Sequence, residues 1–447
     1  MFQEINSISM LAPRTDDCRF PDRSDVTTVK LPAIKALTVQ QSGTCGAAPG
    51  CGLSAVSGPE KLFGRSDAQS RNALSFNQWA MISCGIRQRM EAVSACLDDV
   101  FRRSVVPQLP GENALVFRML NGVADQIGGI TRNSIAWGWL ASTDLHVADD
   151  GQIMVMDHNL SVPSGLQRLT SLVNRSHTES VNAINDLGRR LNDSTLSYPG
   201  STDASTTVVL DPCRYNPTFS ENEFLARTTG AQITRASDLV VSRDGVESVT
   251  GSGRTRIQTI VRRIDDDLLD PNCFRPDSLV GLPGLCAAWK NGRVNLVNPP
   301  GSSVASIRSF TQLVPAMIRN YLGEEPALPI AETQECSASL AMQRLYEDPT
   351  QFAVRTNDPM HPARPYLGNS ATKAETLLML NSVRRNPEKF VIRNLLPKAE
   401  ASGFNLRVFS TMGNGFYMPR CGIGRKCQSD GGATLAINDD ESAFFVS

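Results

Sequence analysis

Val261-Arg-Arg-Ile-Asp-Asp-Asp-Leu-Leu-Asp-Pro271 completes the β-branched run Ile257-Gln-Thr-Ile-Val261, and Arg275-Pro-Asp-Ser278 and Gly281-Leu-Pro-Gly-Leu285 follow it. A short run rich in Ile and Val reads as a buried strand, and open α/β sheets gather ligands beyond the carboxyl ends of such strands. Two arginines and four aspartates therefore stand where a site is expected. Asp265, Asp266 and Asp267 repel one another unless something cationic joins them, and Arg262, Arg263, Arg275 or a hard metal ion could do so. A helix N-terminus is the plainer alternative, because its orphan amides and positive dipole end also favour Asp. On these residues both readings stay open.

The surroundings read as a second α/β unit. Thr206-Thr-Val-Val-Leu210 is a continuous apolar strand, and Ser220 to Arg227 has helical character, with Ser220 and Glu223 at capping-box spacing. Ile233, Leu239-Val-Val241 and Val294-Asn-Leu-Val297 supply further strands, and Arg243-Asp-Gly245 a turn. Alternating strand and helix signals predict an open sheet flanked by helices. Asn298-Pro-Pro-Gly-Ser-Ser303, at the end of its strand, suits a loop that holds a phosphate or a carboxylate; a proline-stiffened turn explains it as well.

Upstream, Trp79, Ile82, Ile86, Met90, Val93, Leu97 and Val100 recur at helical spacing behind a Ser75 cap. That stripe puts Arg87, Gln88, Arg89 and Arg102 outside the buried face or at its rim. Asp144 to Ala148 and Gln152 to Met156 form a hairpin about Asp149-Asp-Gly151. Asp157 and Pro163-Ser-Gly165 come next, and such a turn can offer amides to phosphate. His158 reads as a polar loop residue. Helical leucine spacing then leads to a linker, Thr195 to Thr202. Downstream, Phe352-Ala-Val354, Phe390-Val-Ile392, Leu406-Arg-Val-Phe409 and Gly415-Phe-Tyr-Met418 read as successive strands, with a helix over Thr372 to Arg384. Residues 1 to about 70 carry little periodicity and read as an irregular extension.

A formal net charge of -1 over 447 residues gives no electrostatic case for general nucleic-acid binding. No apolar run approaches a bilayer span, and Met1-Phe-Gln-Glu-Ile-Asn6 lacks the basic and apolar regions of a signal peptide, so the cytoplasm is the expected compartment. Eleven cysteines, an odd number, then read as free thiols. Cys45 with Cys51 and Cys421 with Cys427 do not match a paired zinc-knuckle spacing, and the four histidines are scattered.

The ordered series Asp211-Pro-Cys-Arg-Tyr-Asn216, Glu223-Phe-Leu-Ala-Arg227, Asp238-Leu-Val-Val241, Arg262-Arg-Ile-Asp-Asp-Asp267, Asp277-Ser278, Gly281-Leu-Pro-Gly284, Asn298, Gly301-Ser-Ser-Val304 and Tyr321-Leu-Gly-Glu-Glu-Pro326 resembles the circularly permuted ATP-grasp family, type 2. Weaker similarity runs back through Gln88-Arg89, Asp157 and Pro163-Ser-Gly165 and forward through Leu406-Arg-Val-Phe409 and Met418-Pro419 to Arg425. The resemblance implies an α/β (α+β) fold with a central open α/β domain and a nucleotide-clamping lobe. On this reading residues 1–74 are an extension and 75–202 a helical and hairpin portion, while 203–335 form the central domain and 336–447 the divergent C-terminal lobe. It further implies an ATP- and Mg2+-dependent carboxylate-amine ligase that joins a peptide-like or amino-acid-like substrate through an acyl phosphate. Arg263, Asp265, Asp266, Asp267 and Arg275 are then the catalytic candidates. Ser164, Gly165, Asn298, Gly301, Ser303, Arg355, Arg393, Arg407 and Arg425 are the nucleotide-binding candidates, and the metal ligands stay unassigned.

Several residues depart from the family pattern. Arg355 and Arg393 stand where active relatives carry Lys and Gln, and Asn394 stands in place of an acidic residue. Ala305-Ser-Ile-Arg-Ser309 replaces an acidic continuation, and Ser429-Asp-Gly-Gly-Ala433 matches the terminal elements only loosely. The alternative is therefore a catalytically inactive member that serves as a binding or assembly subunit of a peptide-modifying system. The family's Alpha-E domain would then be a separate partner protein, since the chain ends soon after Phe444-Phe-Val446.

Overall fold

The structure, a computed structural model, describes residues 73–107, 109, 114–130, 135–174, 178–196, 206–251, 253–358, 364–395, 403–426 and 442–446. The expected N-terminal extension up to residue 72, most of the expected linker, and Ser429 to Ala433 lie outside these residues, as do Cys45, Cys51 and Cys427.

Strands fall into four sheets. Six of them order as β1 (Ala73–Leu74), β17 (Ser442–Val446), β16 (Cys421–Lys426), β15 (Gly403–Ser410), β2 (Ala141–Ala148) and β3 (Ile153–Asn159). Four parallel strands order as β10 (Asn295–Val297), β9 (Thr259–Arg262), β4 (Thr207–Leu210) and β5 (Gln232–Thr234). A three-stranded antiparallel sheet holds β6 (Leu239–Ser242), β7 (Gly245–Thr250) and β8 (Gly253–Ile257). The last sheet is antiparallel and orders β11 (Gln334–Glu335), β14 (Phe390–Asn394), β12 (Phe352–Thr356) and β13 (Tyr366–Leu367). With α10 (Ser339–Glu347) and α11 (Lys373–Arg385) it encloses its own core around Leu345, Phe352, Val354 and Ile392. Mixed helices and sheets of this kind make an α+β fold.

The parallel sheet is where the apolar runs lead. Every residue of β4 and of β9 is buried, as expected for parallel strands covered on both faces. The run Ile257 to Val261 is nevertheless divided. Ile257 ends β8, and Gln258 bridges the two sheets by donating its amide to Thr206 O and accepting from Asn295 N, both at 2.8 Å. Leu239-Val-Val241 likewise belongs to the antiparallel sheet, not the open one. The four downstream strands are also shared out: β12 and β14 pair in the small sheet, β15 joins the β2–β3 hairpin, and Gly415 to Met418 make only a Thr411–Tyr417 bridge that closes a turn.

Helix α1 (Phe76–Leu97) carries the expected stripe and a complete Ser75–Gln78 capping box. Gln88 and Arg89 are buried on it, contrary to the rim position that spacing implies. Gln88 donates to the Glu324 carboxylate and the Glu325 carbonyl and accepts from the Ala327 amide, so it pins the segment that follows α9 (Val314–Leu322). Helix α5 (Phe219–Thr229) begins at an N-cap Thr218 with no Ser220–Glu223 box. Asn216 Oδ1 accepts from the Thr218 amide at 2.9 Å and starts the helix upstream, leaving Ser220 inside it. Between α3 (Leu166–Val173) and the parallel sheet, α4 (Thr178–Leu196) and α5 pack over the core of Leu187, Leu191, Val209 and Leu225. Helix α2 (Ala114–Ile127) ends at buried Ile127. Among the described residues no helix is long and apolar enough to cross a membrane.

Gly281 shows why the motif that holds it needs a missing side chain. A Cβ there would lie 2.2 Å from Leu268 O and 2.8 Å from Leu269 O, and backbone carbonyls cannot yield as a flexible side chain would. The close approach lets the Leu282 amide reach Leu269 O at 2.9 Å, joining the turn to α6 (Asp266–Leu269). Gly281→Ala is expected to cost about 1–3 kcal/mol or more by thermal or urea denaturation. Gly251→Ala, in open space, should stay within roughly 0.5 kcal/mol of the parent.

Candidate functional site

The hairpin of β2 and β3 presents alternate residues to one side, as strands must. Ser142 and Asp144 from β2, with Asp157 and Asn159 from β3, line a cavity of about 410 Å³. Asp144 is registered directly opposite Asp157, next to a bulge where Leu145 skips to Val155. Like charges opposed across two strands are destabilising unless neutralised. Here each has its own cations.

Arg407, registered against Asp144 from β15, grips that carboxylate with Nε and Nη2 at 2.7 and 2.8 Å. Asp157 meets three guanidiniums: Arg355 of β12 at 2.5 Å, Arg308 of α8 (Arg308–Thr311) at 3.3 Å and Arg393 of β14 at 3.6 Å. Burial would raise the Asp157 carboxyl, but Arg355, Arg308 and Arg393 together hold it well below the usual carboxylate range. Arg308, Arg355 and Arg407 line the cavity. Arg393 lies behind Asp157 and is buried, donating to Met156 O at 2.7 Å and Thr333 Oγ1 at 3.1 Å.

The opposite wall comes from the charged motif. Arg263 and Asp265 line the cavity with Asn216 and Thr218. Arg263 Nε donates to Asn222 Oδ1 at 2.7 Å, and Asn222 is anchored by donating to Asp211 at 2.6 Å. The Arg263 Nη2 is buried and makes no hydrogen bond among the described residues. Burial lowers the Arg263 guanidinium to about 10, against the support of Glu221 and Asp265. Asp265 moves the other way: burial, joined by the charges of Asp266, Asp267 and Asp358 and opposed by Arg262, pushes it up to about 6. Asp265 Oδ1 is also buried without a hydrogen bond among the described residues.

The rest of the motif serves the fold. Arg262 is buried and donates to Asn298 O, Ile264 O, Pro299 O and Ser302 Oγ, while its Nη1 pairs with Asp266 Oδ1 at 2.8 Å. Asp266 Oδ2 accepts the Gly301 amide at 2.9 Å and the Ser303 hydroxyl. The loop at Asn298 to Ser303 thus holds a carboxylate, and it is the protein's own. Asn298 is buried with its side chain on the Leu140 backbone and Ser161 O. Asp267 and Arg275 are not brought to the cavity: Arg275 is half exposed and pairs with Asp277 at 2.7 Å. Asp265 is the N-cap of α6 yet makes no side-chain capping bond, so capping does not explain it.

Ser164 lines the cavity and its carbonyl accepts from Arg407. Gly165 adopts φ +107° as the N-cap of α3, but the Leu166 and Gln167 amides beyond it donate to Glu221 at 2.9 and 3.0 Å. The turn's anion is therefore also internal. Arg425 lies on β16 opposite Asn405, outside the lining. His158 is a buried strand residue, not a loop residue; its Nδ1 bonds Thr143 Oγ1, and burial with the charge of Arg89 lowers it to about 3. Asp144, Asn159 and Arg308 were outside the sequence-derived site candidates, and so was Asp157, which the sequence marked only by its place after a strand and within the weaker similarity. The alternation of Ser142 and Asp144 with Asp157 and Asn159 across a hairpin is the signal that finds the first two; Arg308 arrives through tertiary packing.

The family description "Circularly permuted ATP-grasp type 2" matches residues 73–425. An uncharacterized protein of Synechocystis sp. is 28% identical over 334 residues, covering 71% of this chain and 68% of its own length. An uncharacterized protein of Mycobacterium tuberculosis is 28% identical over 354 residues, covering 76% of this chain and 63% of its own. The Frankia alni protein named "Putative glutamate--cysteine ligase 2-3" is 25% identical over 337 residues, 70% of this chain but 38% of that protein. The chain thus spans about two thirds of the first two relatives and well under half of the third. Since the family match takes in the hairpin, the parallel sheet with its charged motif and the small antiparallel sheet, the chain belongs to the circularly permuted ATP-grasp type 2 family.

Proposed function

We propose that the cavity takes the phosphates of ATP and that the chain acts as an ATP-dependent carboxylate-amine ligase on an amino-acid-like or peptide-like substrate. The observation that carries this reading is the meeting of oxygen donors and guanidiniums on one wall: Asp144, Asp157 and Asn159 beside Arg308, Arg355 and Arg407. Guanidinium forks suit phosphate oxygens. Carboxylates with a carboxamide are the hard donors that magnesium prefers, so Asp144, Asp157 and Asn159 would hold it, and it would neutralise phosphate charge. Without ligand, each carboxylate is matched by arginine. A magnesium nucleotide brings both signs of charge, so the arginines can turn to phosphate as the carboxylates turn to the cation, and no charge is stranded.

The chemistry needs a substrate carboxylate to attack the γ-phosphate, with ADP leaving, and then an amine to displace phosphate from the acyl phosphate. The unengaged Arg263 Nη2 suits a carboxylate at the start of that sequence. Asp265, raised to about 6, suits the proton that the attacking amine must shed. The Frankia alni relative carries the name "Putative glutamate--cysteine ligase 2-3", and a ligase of two amino acids is in keeping with this class. A second reading has its own support: three arginines around Asp157, one of them in the core, suit a member that binds a polyanion without turnover. Calorimetry with ATP, with and without magnesium, and ADP release with amino-acid substrates decide between them. Binding with ADP release favours the ligase, and binding without release the second reading. No binding at millimolar ATP would overturn both.

Arg355→Ala is expected to weaken ATP binding by about 10- to 100-fold, the loss of one or two charge-assisted hydrogen bonds of roughly 1.5–3 kcal/mol. Arg393→Ala should instead lower the melting temperature with little further change in affinity among molecules that remain folded.

Asp265 also makes a pH-dependent prediction. Its folded value near 6 exceeds its ordinary 3.8, so the folded chain takes up that proton first. The resulting stabilisation is complete below about pH 4 and is lost as pH rises through 6. Asp265→Asn should therefore exceed the parent in stability at pH 7.5, by on the order of 2 kcal/mol, and the gap should close below about pH 4 in paired melts. In the ligase reading the parent's kcat/KM falls on an acid limb near pH 6, and the variant lacks that limb.

A further inference from the structure

Asp270, Cys273 and Cys286 offer one carboxylate oxygen and two sulfur atoms that lie within 4.8 Å of one another. None of them lines the proposed nucleotide cavity. They meet through the backbone: the Cys273 amide donates to Asp270 O at 3.0 Å, and the Cys286 amide, at the start of α7 (Leu285–Lys290), donates to Asp270 Oδ2 at 2.8 Å. Asp270 Oδ1 accepts from the Asn272 and Gly284 amides at 2.9 and 3.0 Å. Each carboxylate oxygen offers two lone-pair directions. Oδ1 is thus filled, and the carboxylate also hydrogen-bonds the Cys273 thiol, a contact that a metal-bound thiolate gives up. Asp270 and Cys286 are fully buried, and Cys273 is half-buried with its thiol hydrogen-bonded to Cys286.

We propose that Asp270, Cys273 and Cys286 form a binding site for one divalent cation of zinc's borderline-soft class. Two thiolates and one carboxylate are ligands zinc accepts, at bond lengths of about 2.3 Å to sulfur and 2.0 Å to oxygen. Tetrahedral bonds of those lengths put ligand atoms roughly 3.3–3.8 Å apart, so the trio needs only small side-chain rotations to close on an ion. The amides on Asp270 fix the carboxylate's orientation, as outer hydrogen bonds do for metal ligands. Water reaches the half-buried Cys273 and completes the fourth position. Magnesium is the wrong ion, since it prefers oxygen and avoids sulfur. The bound ion ties the turn after α6 to the start of α7 and so braces the helix whose first residues are Asp266 and Asp267.

The sequence spacing hides this site. Twelve residues separate Cys273 from Cys286 and the third ligand is an aspartate, so no paired Cys pattern exists. Only the turn at Gly281 to Gly284 brings the cysteines together.

The test is cobalt titration of the full chain, reduced and stripped by a chelator, under anaerobic conditions. The expected result is saturation at one equivalent with thiolate-to-cobalt charge-transfer bands and intense tetrahedral visible bands, displacement by Zn2+, and a raised melting temperature with Zn2+. Cys273→Ser, at the half-exposed position, should lose the one-equivalent endpoint while keeping the fold; Cys286→Ala should do the same wherever it folds. Absence of the bands in the fully reduced parent overturns the proposal, as do bands that survive in Cys273→Ser. A parent that binds no cobalt but loses two titratable thiols together on exposure to oxidised glutathione has a disulfide-forming pair instead, which also overturns it.

Discussion

Asp157 is the point through which the separate sheets are tied together. It sits on the hairpin of the six-stranded sheet, and its three arginines come from α8 and from two strands of the small antiparallel sheet. A buried charge that loses its partner costs several kcal/mol, so each element is held to the others by the expense of stranding a charge. The cross-strand opposition of Asp144 and Asp157 adds to that constraint, because like charges opposed across two strands weaken the hairpin until cations reach both carboxylates. The cavity wall and the joint between sheets are the same set of side chains.

The charged motif after β9 divides its labour by depth. Arg262 and Asp266 neutralise each other inside, and between them they satisfy the carbonyls, amides and hydroxyls of the loop at 298–303. Their immediate neighbours between them in sequence, Arg263 and Asp265, face the cavity with an unengaged nitrogen and an unengaged oxygen among the described residues. Alternation along an extended chain explains the split at Arg262 and Arg263. The helical start at Asp266 explains the split at Asp265, since the chain turns there and swings the next carboxylate inward. Two internal carboxylates, Asp266 and Glu221, occupy the loop and the helix start that resembled anion sites.

Short-range signals were legible. The stripe on α1, the Ser75 cap, the helix start near Thr372 and the Asp149-Asp-Gly151 hairpin each depend on neighbours a few residues away, although the Ser220–Glu223 spacing formed no box. Features that depended on distant partners were not. Arg89 reads as a rim residue by spacing, yet it is buried, and no local signal marks that. Sheet membership failed for a similar reason: Leu239 to Val241 look like any core strand, and only pairing with β7 removes them from the parallel sheet. At the site, Arg263, Asp265, Ser164, Arg355 and Arg407 could be picked out, while Asp267 and Arg275 shared their charge pattern without their position. Asp144 and Asn159 were readable in principle from the two-residue period of a hairpin. Arg308 was not, because its approach to Asp157 spans about a third of the chain.

The order in which strands join the six-stranded sheet bears on how the molecule is made. β2 and β3 are adjacent in sequence, but β15 and its Arg407 lie more than two hundred residues later, and β1 pairs only with β17. During synthesis the hairpin leaves the ribosome with two opposed carboxylates and none of the four arginines that neutralise them. Its acidic face must stay hydrated until Arg308, Arg355, Arg393 and Arg407 emerge in turn. A nascent chain of this kind finishes that sheet and its cavity only once distant strands arrive, and the early hairpin is kept soluble meanwhile by the very charges that the finished molecule pairs with arginine.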